Sequence, residues 1–344
     1  MAKQLVLAVA GSGKTRKILN SLDLERRSLV VTYTNENLRS LEAGVIRKFG
    51  HVPSNICLLT YFSFLYTFCF RPYFSYRLKD RSFTWKIPQY FRGAPGKKKT
   101  RHYMTKGRYL YANRVAKLII EFGGIPKTIT RLEKYFDQFL IDEVQDFAAN
   151  DFNLLMGLCA SNLDMLFVGD FFQHTFDTSR DGQIGKNLHK KGLDHFVAEF
   201  RKVGLDIDPS SLDKTHRCSP DVCEFISTNL GIQIESHRSD NTEIHVVEDP
   251  EFAKLLFKDD SKVKLFFWNH AKYDCYSNNW GKSKGLNNYG DVCVVLNEGT
   301  QKLFAEGNLS GLVESTRNKL YVACSRARGD LYLLNEAHLV EFKS

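Results

Sequence analysis

The sequence predicts an α/β protein of two domains, each built on a parallel sheet, with a small basic insertion in the first. Three observations carry this expectation. A chain of 344 residues exceeds what one hydrophobic core usually organises. Short, continuously apolar runs, the mark of strands buried on both faces, alternate with helical patterns and so imply βαβ units. These runs also come in two sets, which divide the chain into a first domain over residues 1–190 and a second over 191–344.

The first set begins with LVLAV at 5–9, SLVVTYT at 28–34 and ICLLTY at 56–61, and continues with FLIDE at 139–143 and MLFVGD at 165–170. Residues 14–22 and 150–160 carry helical patterns between them. The second set is EIHVV at 243–247, KLFFW at 264–268, DVCVVL at 291–296 and DLYLL at 330–334. The Gly- and Lys-rich stretch RGAPGKKKTRHYMTKGR at 92–108 reads as a loop or insertion, and DTSRDGQIGKN at 177–187 as a second one. The insertion is expected over about 71–125.

A composition of 43% hydrophobic and 25% charged residues fits a folded chain and excludes disorder. No run reaches the roughly 18 apolar residues of a spanning helix, and no signal peptide is legible, so the sequence predicts a cytoplasmic protein with no membrane contact. Eight cysteines without a CxxC pair, several inside apolar runs, predict reduced and mostly buried thiols.

The charge is concentrated. Between residues 71 and 108, twelve lysines and arginines face the single acid Asp80. That window's +11 against a chain total of +9 leaves −2 for the rest. Tyr73, Phe74, Tyr76, Phe83, Trp85, Tyr90, Phe91 and Tyr103 are interleaved with the cations. Cations for phosphates and flat rings for bases are what a single strand of nucleic acid needs, and Lys97, Lys98, Lys99 and Arg101 are the candidate contacts.

AVAGSGKT at 8–15 follows an apolar strand and precedes a helix. There the backbone of Ala10, Gly11, Ser12 and Gly13 would wrap phosphates, Lys14 would meet the outer phosphates and the Thr15 hydroxyl would meet Mg²⁺. Ala8 stands where the strict pattern has Gly. A second metal-facing group is Asp142 in FLIDEVQD, and Glu143 beside it is placed to orient or deprotonate the attacking water.

AVAGSGKT, VTYTNENL (31–38), LTYFSF (59–64), LIDEVQD (140–146), VGDFFQ (168–173), LDKTHRCSP (212–220), KSKGL (282–286) and YVACSRAR (321–328) occur in the order of the motifs of the UvrD/Rep/PcrA group of superfamily 1 helicases, which the chain resembles. The resemblance implies two RecA-like domains with parallel sheets, ATP and Mg²⁺ as cofactors, and hydrolysis between the domains. It implies that Gln173 senses the γ-phosphate, that Arg217 and Arg326 act as arginine fingers, and that Gly285 lies in the loop coupling nucleotide to strand. Thr34, Asn35, Thr60, Tyr61, Phe62 and Phe176 fall where such proteins touch single-stranded DNA, and RNA stays open.

Departures from the pattern are equally specific. The usual upstream glutamine motif has no counterpart, which leaves ATP over GTP open. His216 replaces a base-stacking Tyr, Gly281 and Asn287 replace a His and a Glu of the fifth motif, and HTFDTSRDG follows Gln173 with Arg180 out of register. About 65 residues between Arg217 and Lys282 leave no room for a large second accessory subdomain. The resemblance thus implies an ATP-dependent motor, a helicase or translocase. A second reading stays open: a nucleotide-dependent switch gating a partner, such as a nuclease subunit of an anti-phage defence complex.

Overall fold

A computed structural model of the chain describes residues 2–86, 88, 100–175, 188–286 and 289–343. Strands β1 (Lys3–Ala8), β2 (Ser28–Thr32) and β3 (Ile56–Thr60) are followed by a short parallel pair, β4 (Ser82–Thr84) and β5 (Tyr109–Tyr111), inside the stretch expected as an insertion. Next come β6 (Gln138–Asp142), β7 (Asp164–Gly169) and β8 (Asp206–Leu212). The first sheet runs β3-β2-β6-β7-β1-β8. Its β2–β3, β2–β6 and β6–β7 pairs are parallel, with Val30 opposite Leu58 on one side and Leu140 on the other. Every residue of β2 and β6 is buried, as continuously apolar sequence demands.

The remaining strands are β9 (Lys214–Thr215), β10 (Glu235–Ser236), β11 (Ile244–Val247), β12 (Val263–Phe266), β13 (Ser277–Asn279), β14 (Val292–Leu296) and β15 (Leu331–Asn335). The second sheet is parallel throughout, in the order β11-β15-β14-β12-β13. Alternate residues feed two cores. Val292, Val294, Leu331 and Leu333 belong to one, and Cys293, Val295, Tyr332 and Leu334 to the other. A period of two over a sheet covered on both faces requires this division.

By their contacts the described residues form two compact units, one of Met1–Val6, Thr15–Gly169 and Phe176–Asp208, the other of Leu7–Lys14, Asp170–Thr175 and Pro209–Ser344. The segment carrying Ala10 to Lys14 therefore groups with the second sheet, whereas a cut at 190 would leave it with the first.

Of the stretch expected to be a loop, residues 92–99 lie outside the described residues. From Tyr61 to Leu78 the chain is continuously helical, wound with wide π-type turns over Phe64–Ser75. Phe74 and Tyr103 are core residues there, whereas Trp85 is 65% and Tyr76 96% exposed. All eight cysteines are free thiols, six of them buried. Among the described residues no helix is long and apolar enough to cross a membrane.

Candidate nucleotide site and nucleic-acid interface

Between β1 and the helix Lys14–Ser21 the backbone takes positive φ at Gly11 (73°) and Gly13 (97°), a left-handed geometry that glycine adopts at little steric cost. Ser12 is buried and donates its hydroxyl to Val9 O at 2.9 Å, which closes the turn. Thr15, on the first turn of that helix, donates its hydroxyl to Asp142 Oδ2 at 3.3 Å. Two hard oxygens that could hold a divalent cation are thereby brought together across 127 residues of sequence.

Asp142 ends β6, and its Oδ1 accepts the Glu143 amide at 3.0 Å. Glu143 itself sits at φ 58°, outside the region favoured by side-chain-bearing residues. Such a conformation persists only where its surroundings fix it. Here the Gln145 amide donates to Glu143 Oε2 at 2.5 Å. Gly169 makes room for that amide, because a Cβ at 169 would stand 2.5 Å from Gln145 Oε1 and 2.8 Å from Val144 Cγ1.

In the second unit the phosphate-loop segment is held by a hydroxyl. Tyr321, wholly buried on the helix Glu314–Cys324, accepts the Ala10 amide at 2.8 Å and donates to Asp170 Oδ2 at 2.9 Å. Asp170 Oδ1 also accepts the Phe172 amide, which caps the short turn Phe171–Gln173 and leaves Gln173 buried. Burial, and then the Asp170 charge, push the Tyr321 phenol far above its ordinary pKa, so it stays a neutral donor. The amide of Ala10, expected to face phosphate, thus already has a partner. Replacing Tyr321 by Phe is expected to lower stability by about 1–3 kcal/mol, since it strands the buried Ala10 amide and takes one donor from the buried Asp170 carboxylate. Urea unfolding checks this, and an unchanged midpoint would show that the hydroxyl satisfies neither group.

Gly11 lies against the LDKTHR segment: a Cβ there would meet Thr215 Oγ1 at 2.6 Å and Arg217 Cβ at 2.8 Å. His216 donates its amide to Gly11 O at 3.0 Å. Its ring stacks on His237 with centroids 4.2 Å apart. The stack follows from register. Parallel strands β9 and β10 set Lys214 against Glu235 and Thr215 against Ser236, so KTHR and ESHR lie side by side and their histidines fall opposite each other. Lys214 and Glu235 pair at 2.8 Å, and Arg238, held by Asp240, donates to Arg217 O. His237 was not legible as a partner until the register was known, although the repeated S/T-H-R is its trace in the sequence.

The two expected fingers are both buried. Arg217 donates to Ser325 O at 3.0 Å, and burial lowers its pKa without removing its charge. Arg326, 2% exposed, donates Nε to Val322 O at 3.1 Å and Nη1 to Leu286 O at 3.0 Å. Gly285, just before Leu286, has φ 85°.

The expected strand contacts divide. Thr34 and Thr60 cap helices, accepting the Asn37 and Ser63 amides, and Asn35 is exposed beside the first cap. Phe62 is half-buried in an aromatic group with Tyr33 (6.0 Å), Phe83 (6.4 Å) and Trp85 (4.4 Å). Tyr61 requires a correction. It is 2% exposed and donates its hydroxyl to Asp151 Oδ1 at 2.8 Å, so its ring belongs to the core and offers no face to a base. Arg101 is exposed on a short turn. Lys97, Lys98, Lys99, Phe176, Arg180 and Asn287 lie outside the described residues.

No protein-family model matches the chain, and no curated protein sequence matches it. Among solved structures it is similar to an arterivirus nonstructural protein 10 helicase in complex with DNA, at 14% identity and a TM-score of 0.50, over 96% of this chain and 60% of that one. It is similar to the crystal structure of arterivirus nonstructural protein 10 (helicase) at 14% identity and a TM-score of 0.51, over 96% and 59%. The fold is a helicase fold. Its two parallel sheets correspond to RecA-like domains. The chain spans about three fifths of the length of these helicases, and at this identity the likeness establishes architecture alone.

Proposed function

We propose that the chain is an ATP-dependent nucleic-acid motor of the UvrD-like kind, with an ATP-binding domain over 1–190 and a second RecA-like domain over 191–344. The observation that supports it most is the meeting of Thr15 and Asp142 beside Glu143, directly after a loop whose glycines take positive φ. The donor set fits the cofactor: Thr15 and Asp142 offer hard oxygens for Mg²⁺, and Gly11, Ser12, Gly13 and Lys14 offer amides and an ammonium for phosphates. Mg²⁺, when bound, offsets the charge that develops on the transferred phosphoryl group. Glu143 would take the proton of the attacking water, Gln173 would report the γ-phosphate, and Arg217 and Arg326 would add positive charge as it departs. His216, anchored on Gly11 O, would stack on the base, and Gly285 would lie in the coupling loop.

The strand would run over Thr34, Asn35, Thr60, Phe62 and Phe176, with Lys97, Lys98, Lys99 and Arg101 supplying phosphate contacts. That one similar structure holds DNA supports a nucleic-acid substrate. The chain would work in the cytoplasm. The test is phosphate release from ATP and Mg²⁺ with and without single-stranded DNA, beside a Lys14→Ala control. Stimulation by the strand that the variant lacks is the expected result. Turnover that ignores the strand would overturn the motor and favour a switch that gates a partner such as a nuclease subunit.

A further inference from the structure

Trp268 stands outside every motif discussed so far. The apolar run KLFFW predicted a strand through residue 268, but β12 ends at Phe266, and the next two rings leave the sheet at its C-terminal end. Phe267 turns inward and packs on the buried Trp280 at 5.2 Å, against one core of the second sheet. Trp268 turns outward and is 57% exposed. Lys319, from the helix Glu314–Cys324, places its ammonium 4.2 Å from the Trp268 centroid and 5.1 Å from that of Phe267.

Two further segments of the same unit come together there. A Cβ on Gly281 would lie 3.6 Å from Lys319 Cγ and 3.5 Å from Thr175 Cβ, so the turn leading into KSKGL borders the Lys319 stem on one side and the segment after Gln173 on the other. Asn318 donates to His174 O at 3.2 Å, which fixes that segment to the same helix. Lys282 lies near His270: after burial, its charge is what holds that imidazole below its ordinary pKa. An indole exposed on one face and flanked by an ammonium is the combination that stacks bases and tolerates any sequence.

We propose that Trp268, backed by Lys319, is a stacking site for one base of a single strand of nucleic acid, carried by the second unit. The proposal rests on the nucleic-acid reading above but uses none of its contact residues. Stacking needs only a π-face, so the chemistry is common to DNA and RNA.

The test uses the full chain and fluorescence anisotropy of three labelled strands of about 12 nucleotides, within the site sizes common for such proteins. One is oligodeoxyuridylate, one oligouridylate and one an abasic deoxyribose-phosphate. Trp268→Ala is expected to weaken the tighter of the two base-bearing strands by about 5- to 150-fold, the loss of one stacked base, while leaving the abasic strand unchanged. Trp268→Phe should recover most of the loss. Whichever base-bearing strand binds more tightly identifies the sugar. Unchanged affinity of Trp268→Ala for base-bearing strands, beside a wild type that binds them, would overturn this site alone. Equal loss on the abasic strand would overturn it too, by assigning the ring to the fold or to a phosphate contact. A wild type that binds none of the three would remove the nucleic-acid reading and this site with it.

Discussion

Glu143→Gln is expected to slow phosphate release by about 10²–10⁴-fold, the usual worth of a positioned general base, while nucleotide binding persists. The substitution is close to isosteric, so the left-handed backbone at 143 and the neighbouring amide of Gln145 need not move. What it removes is the basicity of the carboxylate. Binding should survive because the groups proposed to hold phosphate, Lys14 and the glycine turn, are untouched. Lys14→Ala should show the opposite division, losing affinity and turnover together. Parallel titrations with a fluorescent ATP analogue and steady-state phosphate release separate the two. Hydrolysis at the wild-type rate by Glu143→Gln would strip that residue of its role. Weakened binding in the same variant would instead place its charge among the groups that hold nucleotide.

The strands proved legible for a physical reason. SLVVT at β2 and VCVVL at β14 are buried on both faces, so nothing polar interrupts the run, and the expected ends fall within a few residues of the observed ones. β8 is the counterexample. DIDPSSL carries no apolar run because it lies at the sheet edge, mostly out of the core, where Pro209 lacks an amide that the edge does not require. KLFFW misled by two residues because hydrophobicity alone does not separate a ring that packs inward, Phe267, from one that projects, Trp268.

The meeting of Thr15 and Asp142 was legible because motif spacing encodes it, whereas links made only by tertiary contact were opaque. Tyr321 is such a case. One hydroxyl joins Ala10 to Asp170, 311 residues from the first and 151 from the second, and in sequence it reads as an ordinary core aromatic. Tyr61 erred in the other direction: adjacent to Phe62 in an aromatic-rich run, it could not be told from an exposed ring until its hydroxyl was placed on Asp151. Adjacent positions in one motif thus have opposite fates, since residues next to each other on a helix lie on different faces.

Arg326→Ala is expected to slow hydrolysis by about 10³–10⁵-fold while affinity for nucleotide changes little, as for a charge that acts on the transition state rather than the ground state. The structure sharpens the control. Arg326 spans two carbonyls, Val322 O through Nε and Leu286 O through Nη1, which fixes the guanidinium and would limit the entropy lost in the proposed role. Lysine keeps the charge but lacks the fork that spans two acceptors, so Arg326→Lys should recover only a small part of the rate. Because the side chain is buried, removing it also takes a donor from each carbonyl, although Val322 O keeps the Ser325 hydroxyl at 3.1 Å, and a fall in stability accompanies either variant. Stability and catalysis are separated by assaying well below the denaturation midpoint and measuring the nucleotide Kd on the same sample. Arg217 is the less clean probe, since its guanidinium carbon would stand 3.5 Å from a Cβ on Gly11 and truncation would loosen the glycine turn as well. A normal rate in folded Arg326→Ala would remove it from the chemistry and leave it the role of tying the loop after Gly285 to the helix Glu314–Cys324. A lowered rate restored by lysine would show that charge, and not the aimed fork, is what the reaction needs.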